Sequence, residues 1–122
     1  MVISTSTVLY EKRNGVAYIT LNRPDSLNAL NRELRGGLNE ALIDLRDDAE
    51  IILGVLTGAG GKAFSAGMDL KERASLDAEG ERPTGNARGS GSFVDKGVYK
   101  PLIAAIDGFC VAGGLELSLE CD

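Results

Sequence analysis

The chain has 122 residues, 43% of them apolar and 25% charged, with a net charge of −5 at pH 7 and no histidine. This length suits one modest domain, and the acidic balance disfavours duplex DNA or RNA as a partner. Without histidine, Ser-His and Cys-His nucleophile activation and His-based zinc or iron sites are excluded within the chain, which leaves carboxylates, backbone amides, lysines and hydroxyls for any chemistry.

The N-terminal segment, MVISTSTVLYEKR, lacks the basic region and the long apolar stretch of a secretory signal. No apolar run in the chain reaches ~18 residues, as a membrane-spanning helix requires. We therefore expect a cytoplasmic protein. Cys110 and Cys121 stand apart without CxxC spacing, which favours two buried thiols over a disulfide or a metal site.

Residues 7–22 have the pattern of a β-hairpin, because Asn14-Gly15 is a strong two-residue turn signal between two β-rich runs. The period then changes, and leucines recur every three or four residues, which predicts one face of a helix. These leucines are Leu27, Leu30, Leu34, Leu38, Leu42 and Leu45. We expect Ser26 or Asn28 to cap the helix.

The second half of the chain alternates strands and loops. Residues 50–57, EIILGVLT, predict a strand buried on both faces, as in parallel or mixed sheets. The polar residues 74–97 are unusually long for a connector and predict a flexible, lid-like segment. KPLIAAIDGFCVA returns to strand character, and GGLELSLECD begins a helix without a Gly or Pro stop signal, as though the chain ended inside it. This order predicts a layered α/β architecture.

Residues 58–63 formally fit the G-x-G-x-x-G/A phosphate-binding fingerprint, with Asp77 downstream. However, Phe64 follows the motif instead of a helix-opening run. A Walker A motif fails because Leu56 replaces its first glycine and Ala63 replaces the Ser/Thr after the lysine. Nucleotide binding is therefore disfavoured.

Two glycine-containing loops, AFSAGMDL (63–70) and DGFCVAGG (107–114), each come after a predicted strand. Glycine permits positive φ and a close approach of another backbone or a ligand. At neighbouring strand ends, two such loops could aim two backbone N–H groups at one point, as an oxyanion hole does. Two ordinary tight turns explain the same spacing, and the spacing alone favours them.

Glu116 lies among leucines in GGLELSLECD. On a helix, Glu116 and Glu120 share a face one turn apart, and a solvated face with Glu116 in the first turn fits the helix dipole. Alternatively, Glu116 lies beside the Gly113-Gly114 loop and acts as a general acid or base on whatever that loop binds. The spacing favours the solvated face and leaves the second interpretation open.

Three segments in this order, NRPDSLNALN, LTGAGGKAFSAGMDLKE and KPLIAAIDGFCVAGGLELSLECD, resemble the enoyl-CoA hydratase/isomerase (crotonase) family. The resemblance runs from about Val8 to Asp122, and its most specific parts are AFSAG-x-DL and DG-x-x-x-x-GG-x-E-L. It implies a crotonase-like α/β spiral of ββα units. Residues 1–122 would form the N-terminal part of that core domain, with the C-terminal part absent.

Family members bind acyl-CoA thioesters and pass through a thioester enolate. The resemblance implies that the N–H groups of Met68 and Gly113 form the oxyanion hole, the second at a helix N-terminus. Lys62 or Lys71 would offset the negative charge of the chain near the CoA phosphates. The implied CoA-binding residues are Met68, Asp69, Leu70, Lys71 and Gly113. No metal or redox cofactor is implied, since coenzyme A is part of the substrate.

In hydratases of the family, two glutamates add water to a trans-2-enoyl-CoA. Glu116 matches the first, which deprotonates the water that attacks the β-carbon. The second, which protonates the α-carbon, would lie beyond Asp122. Ala112 replaces the first glycine of a common GGG, and Asp107 replaces a common Asn.

The resemblance thus implies an enoyl-CoA hydratase of fatty acid metabolism. An enoyl-CoA isomerase, another CoA lyase of the family and an inactive, shortened chain remain as alternatives. At full length, the family's C-terminal helices imply a homotrimer, or a hexamer that is a dimer of trimers. The 122 residues alone are expected to be inactive, because the second carboxylate is not among them.

Overall fold

A four-stranded mixed sheet carries the fold. The structure is a computed structural model that describes residues 7–78, 93 and 96–122. The strands of the sheet lie in the order β1 (Val8–Arg13), β2 (Val16–Leu21), β3 (Leu53–Gly58) and β5 (Leu102–Ala105). β1 and β2 are antiparallel, whereas β3 runs parallel to both β2 and β5. A separate parallel pair joins β4 (Ala63–Ser65) to β6 (Phe109–Cys110).

β1 and β2 form the predicted hairpin. Asn14 and Gly15 have φ values of 51° and 80°, as a type I′ turn requires at both central positions. Arg13 then pairs directly with Val16. Alternate residues of the hairpin point into the core, and Ile19 is fully buried.

Helix α1 (Arg32–Asp47) begins later than the sequence predicts. Its N-cap is Asn31, whose side-chain oxygen accepts a hydrogen bond from the Leu34 N–H at 2.9 Å. The prediction of a cap at Ser26 or Asn28 is wrong. Pro24–Ser26 form a separate 3₁₀ turn, and the next two residues have φ near +53°, which interrupts a right-handed helix.

The predicted apolar stripe of α1 is confirmed from Leu34 onward. The leucines of the helix that pack into the core are Leu34, Leu38, Leu42 and Leu45. Leu27 and Leu30 precede the helix, and Leu27 is exposed. The helix crosses over one face of the sheet and connects β2 to the parallel strand β3.

The prediction that residues 50–57 are buried on both faces is wrong, although the strand itself is present. Burial along β3 alternates, with Gly54 and Leu56 buried and Leu53 and Val55 only partly buried. Helix α1 covers one face so closely that a Cβ on Gly54 would collide with the side chain of Leu45. No second layer of described residues covers the opposite face in the same way.

The first part of the predicted lid is helical, because α2 spans Leu70–Ala78. The rest of that prediction, apart from residues 93, 96 and 97, lies outside the described residues. Helix α3 spans Gly113–Leu119, so the predicted helix is confirmed. The expectation that the chain ends inside it is wrong, because Glu120 is its C-cap and the last two residues are not helical.

The glycine loop after β3 leads into strand β4, so the phosphate-binding fingerprint lacks the helix that it requires. The side chain of Asp77, the acid expected with that motif, lies outside the described part of the chain.

Cys110 and Cys121 are free, half-buried thiols. Burial raises the pKa of the Cys121 thiol to about 11. In the described part of the chain, no helix is both long and apolar enough to cross a bilayer.

Candidate active site

The two glycine-containing loops lie side by side at the C-terminal ends of β4 and β6. The parallel pairing of these strands sets Ala63 beside Phe109 and Ser65 beside Cys110. Just beyond the pair, a Cβ on Gly67 would lie 2.7 Å from the amide nitrogen of Gly113. Such a distance is too short for a real contact, so the two loops approach backbone to backbone.

The amide groups of Met68 and Gly113 are close together and unpaired. A Cβ on Gly113 would lie 3.6 Å from the amide nitrogen of Met68. Within the described part of the chain, neither N–H has a hydrogen-bond acceptor. Gly113 is the first residue of α3, where N–H groups lack a partner inside the helix. Two unpaired donors at one place are the elements of an oxyanion hole.

Small residues make this approach possible. Gly67 has a φ of 94°, a backbone conformation that residues other than glycine rarely adopt. A Cβ on Gly114 would collide with the carbonyl oxygen of Ser65. Ala112 also has a positive φ although it carries a Cβ: at the N-cap of α3 its φ is 49° and its ψ is −126°. Strained backbone of this kind clusters at functional sites.

Glu116 lies in the first turn of α3, and its N–H donates to the carbonyl of Ala112 at 3.0 Å. Its side chain is exposed, and no described residue forms a hydrogen bond or ion pair with it. Because Cα–Cβ bonds tilt toward the N-terminus of a helix, the Glu116 side chain leaves its backbone in the direction of the Gly113 end. Glu120 differs, since it accepts a hydrogen bond from the Phe93 N–H at 3.3 Å.

The side chain of Asp69 is occupied by structural contacts. One carboxylate oxygen accepts hydrogen bonds from the N–H groups of Lys71 and Glu72, both at 3.0 Å, and so caps α2. The other oxygen accepts a hydrogen bond from Arg23 at 3.0 Å. The Glu72 N–H and the Arg23 guanidinium together hold the pKa of Asp69 below its ordinary value, against the effect of desolvation. Asp69 can therefore offer a ligand only its backbone.

The side chains next to the amide pair are accessible. Leu70 is 76% exposed, and Lys71 is exposed as well. Lys62 is also exposed, but it precedes β4 and thus lies at the other end of that strand. Arg73 reaches back to the sulfur of Met68 at 3.3 Å. The surface beside the two amides thus combines apolar contact with positive charge. No group of three or more Cys, Asp or Glu among the described residues is arranged to hold a metal ion.

Sequence reasoning missed the polar residues behind the loop. Asn28 and Ser65 are both fully buried. The Ser65 hydroxyl donates to the carbonyl of Asn28 at 2.8 Å and accepts from the Gly67 N–H at 3.1 Å. The only signal in the sequence is the NAL segment, in which a polar residue precedes two apolar ones, and it is equally compatible with Asn28 as a helix cap.

Known proteins match nearly the whole chain in sequence. The family model for enoyl-CoA hydratase/isomerase matches residues 11–122. The (E)-benzylidenesuccinyl-CoA hydratase of Thauera aromatica is 42% identical over 94% of this chain and 44% of its own length. The short-chain-enoyl-CoA hydratase of Clostridium acetobutylicum is 35% identical over 96% of this chain and 45% of its own length.

Solved structures have a similar fold over nearly the whole of this chain. An enoyl-CoA hydratase/isomerase from Xanthobacter autotrophicus Py2 has a TM-score of 0.84 and 40% identity, and the match covers 98% of this chain and 45% of that one. The chain thus spans less than half the length of these relatives and has the α/β fold of crotonase-type proteins over that part. By sequence and by fold, the chain belongs to the enoyl-CoA hydratase/isomerase family.

Proposed function

We propose that this chain supplies the oxyanion hole and the first catalytic glutamate of an enoyl-CoA hydratase that acts in fatty acid metabolism. The observation that carries the proposal is the close approach of two unpaired amides, those of Met68 and Gly113. Glu116 lies in the first turn of the helix that Gly113 begins, and its side chain is exposed. The printed names of relatives, among them a crotonyl-CoA hydratase at 36% identity, support the same substrate class.

In the proposed reaction, the thioester oxygen of a trans-2-enoyl-CoA accepts hydrogen bonds from the N–H groups of Met68 and Gly113. Glu116 takes a proton from a water molecule while the water oxygen bonds to the β-carbon. The electron pair of the carbon–carbon double bond forms a new double bond between the α-carbon and the thioester carbon, and the C=O electron pair moves to the thioester oxygen. The two amides stabilise the resulting enolate. A second acid, outside these residues, protonates the α-carbon and completes a 3-hydroxyacyl-CoA.

The CoA portion would run along residues 68–71 and Gly113. The exposed side chains of Leu70 and Lys71 suit a ligand with an apolar arm and phosphates. The backbone, and not the carboxylate, of Asp69 would face it. The proposed reaction uses no metal or redox cofactor. For the full-length polypeptide, meaning these residues with any further residues that its gene encodes, we propose a cytoplasmic trimer or hexamer.

Glu116 favours a hydratase over an isomerase, because an isomerisation needs only one carboxylate to move a proton between carbons. Crotonyl-CoA hydration by the full-length polypeptide, measured by the loss of enoyl-thioester absorbance, tests the proposal. Hydration supports it, whereas double-bond migration in a 3-enoyl-CoA without hydration would favour an isomerase. The purified 122-residue chain is expected to show negligible hydration, and measurable turnover by it would contradict the need for a second acid.

A further inference from the structure

We propose that Asn28 and Ser65 are positioning residues, which fix the direction of the Met68 N–H from behind the loop. This inference rests on the proposed oxyanion hole but not on the identity of the reaction. It assigns a role in the reaction to two buried polar side chains that cannot touch the substrate themselves.

Asn28 holds its own turn in an unfavourable conformation. Its φ is 54°, and it is fully buried. The carboxamide oxygen accepts a hydrogen bond from the Arg23 N–H at 2.8 Å. The carboxamide nitrogen donates to the carbonyls of Ala59 and Ala63 at 3.0 and 2.9 Å. Only an amide side chain has one acceptor and two donors in this shape, so all three contacts depend on the residue type.

The turn that Asn28 fixes, residues 27–30, holds the loop after β4, residues 66–68, at three successive points. The carbonyl of Leu27 accepts from the Ala66 N–H at 3.0 Å. The carbonyl of Asn28 accepts from the Ser65 hydroxyl, whose oxygen accepts from the Gly67 N–H. The Leu30 N–H donates to the carbonyl of Gly67 at 2.7 Å. Residues 27–30 therefore hold the Ala66 N–H and the Gly67 carbonyl directly, and they hold the Gly67 N–H through the Ser65 hydroxyl.

These contacts determine where the Met68 N–H points. The peptide bond between Gly67 and Met68 is planar and trans, since the described chain contains no cis bond, so its N–H points opposite to its carbonyl. Because Leu30 holds that carbonyl, the Met68 N–H must face away from Leu30. A rotation of this plane would turn the donor away from the substrate oxygen, and Ser65 resists the rotation by holding the Gly67 N–H.

The test compares Ser65→Ala and Asn28→Asp in the full-length polypeptide. Ser65→Ala removes the link to the Gly67 N–H, and Asn28→Asp keeps the acceptor but removes both donors. We expect kcat for crotonyl-CoA hydration to fall about 10- to 100-fold, less than for a donor removed outright, while KM changes little. Thr57→Val is the matched control, because it also removes a hydroxyl that donates to a backbone carbonyl at 2.8 Å; its kcat should stay near that of the wild type.

A vibrational measurement separates positioning from a merely structural role. Bound butanoyl-CoA, which cannot be hydrated, should show a lowered thioester C=O stretching frequency in the wild type. In both variants the frequency should move back toward the value of free butanoyl-CoA. A folded Ser65→Ala protein with an unchanged frequency and a kcat within twofold of wild type would overturn the proposal. If neither variant folds cooperatively, the two residues serve the fold and the positioning role is rejected.

The same measurement distinguishes the two proposals. If wild-type protein lowers the butanoyl-CoA frequency but hydrates no crotonyl-CoA, the hydratase proposal fails, and the frequency in the variants still tests the positioning role. If wild-type protein binds butanoyl-CoA without changing the frequency, there is no oxyanion hole and the positioning role fails with it.

Discussion

Gly67 and Gly113 touch through their backbones, since a Cβ on Gly67 would lie 2.7 Å from the amide nitrogen of Gly113. The contact joins the end of the β4 loop to the start of α3 and leaves two N–H groups without an acceptor among the described residues. In this structure the contact does not tighten the fold through hydrogen bonds, so it fits a ligand site better than a pair of ordinary turns.

Gly67→Ala should damage both stability and activity. An alanine there combines a φ of 94° with overlap at the Gly113 amide, which together cost at least about 2 kcal/mol. Displacement of the amides should also lower hydration by about 100-fold. Chemical denaturation and crotonyl-CoA kinetics check these effects.

Gly36→Ala is the matched control, because nothing lies within 4 Å of a Cβ at that position. It should raise the free energy of unfolding by about 0.5–1 kcal/mol, since alanine is the better helix former. A Gly67→Ala protein as stable and active as Gly36→Ala would contradict the close contact between the loops.

Ala112→Gly should stabilise the protein, which is unusual for the loss of a side chain. Ala112 has φ 49°, and relief of about 1–2 kcal/mol of strain outweighs a loss of about 0.4–1 kcal/mol from the greater freedom of the unfolded chain. The free energy of unfolding should therefore rise by about 0.5 kcal/mol, with activity retained. Ala112→Val should shift it in the opposite direction, and a gain in stability for the valine variant would show that this backbone is not strained.

The hydrogen bond from the Glu72 N–H and the contact with Arg23 make Asp69 the basis of an acid-labile loop. Because the pKa of Asp69 is lowered in the folded protein, the unfolded chain binds the proton more readily. The stability it contributes is complete above the ordinary carboxylate pKa of about 3.9 and is lost as pH falls through the lower folded value. In Asp69→Asn, unfolding followed from pH 7 to pH 2 should show less stability at pH 7 and a smaller loss toward low pH.

Asp25→Asn is the control at an exposed position of the 3₁₀ turn. It should change the free energy of unfolding at pH 7 by no more than about 0.5 kcal/mol. If Asp69→Asn is as stable at pH 7 as Asp25→Asn, the cap and the Arg23 contact contribute nothing to the fold.

Turn residues and hydrophobic spacing predicted those parts of the fold that depend only on residues near one another in the sequence. Asn14-Gly15 specifies its turn by itself. The glycines near residues 67 and 113 permitted a close approach of two backbones, but their spacing alone favoured ordinary turns. The late start of α1 could not be predicted in this way. Leu27 and Asn28 leave the helical region because Asn28 is held by the distant carbonyls of Ala59 and Ala63, which only the tertiary fold brings near.

The start of α2 could have been predicted. Asp69 and Glu72 have the spacing of an N-terminal capping pair, but the glycine-rich and charged sequence that follows favoured a loop. The pair also departs from the usual pattern, since Glu72 accepts from the N–H of Arg32, at the start of α1, at 2.9 Å and so joins two helices. The leucine spacing favoured a solvated face for Glu116, and its side chain is indeed exposed. Its place on the helix that starts at the amide pair depends on the tertiary fold, which leucine spacing does not encode.

The most direct test of the account is the rate of crotonyl-CoA hydration by full-length Glu116→Gln, measured beside Glu120→Gln. The two variants make the same change one helical turn apart, and a glutamine at either site can still accept a hydrogen bond. We predict that Glu116→Gln lowers kcat by about 10²–10⁴-fold, as expected for the loss of a general base, while Glu120→Gln stays within a few fold of wild type. Hydration by Glu116→Gln within about tenfold of wild type would contradict a catalytic role for Glu116.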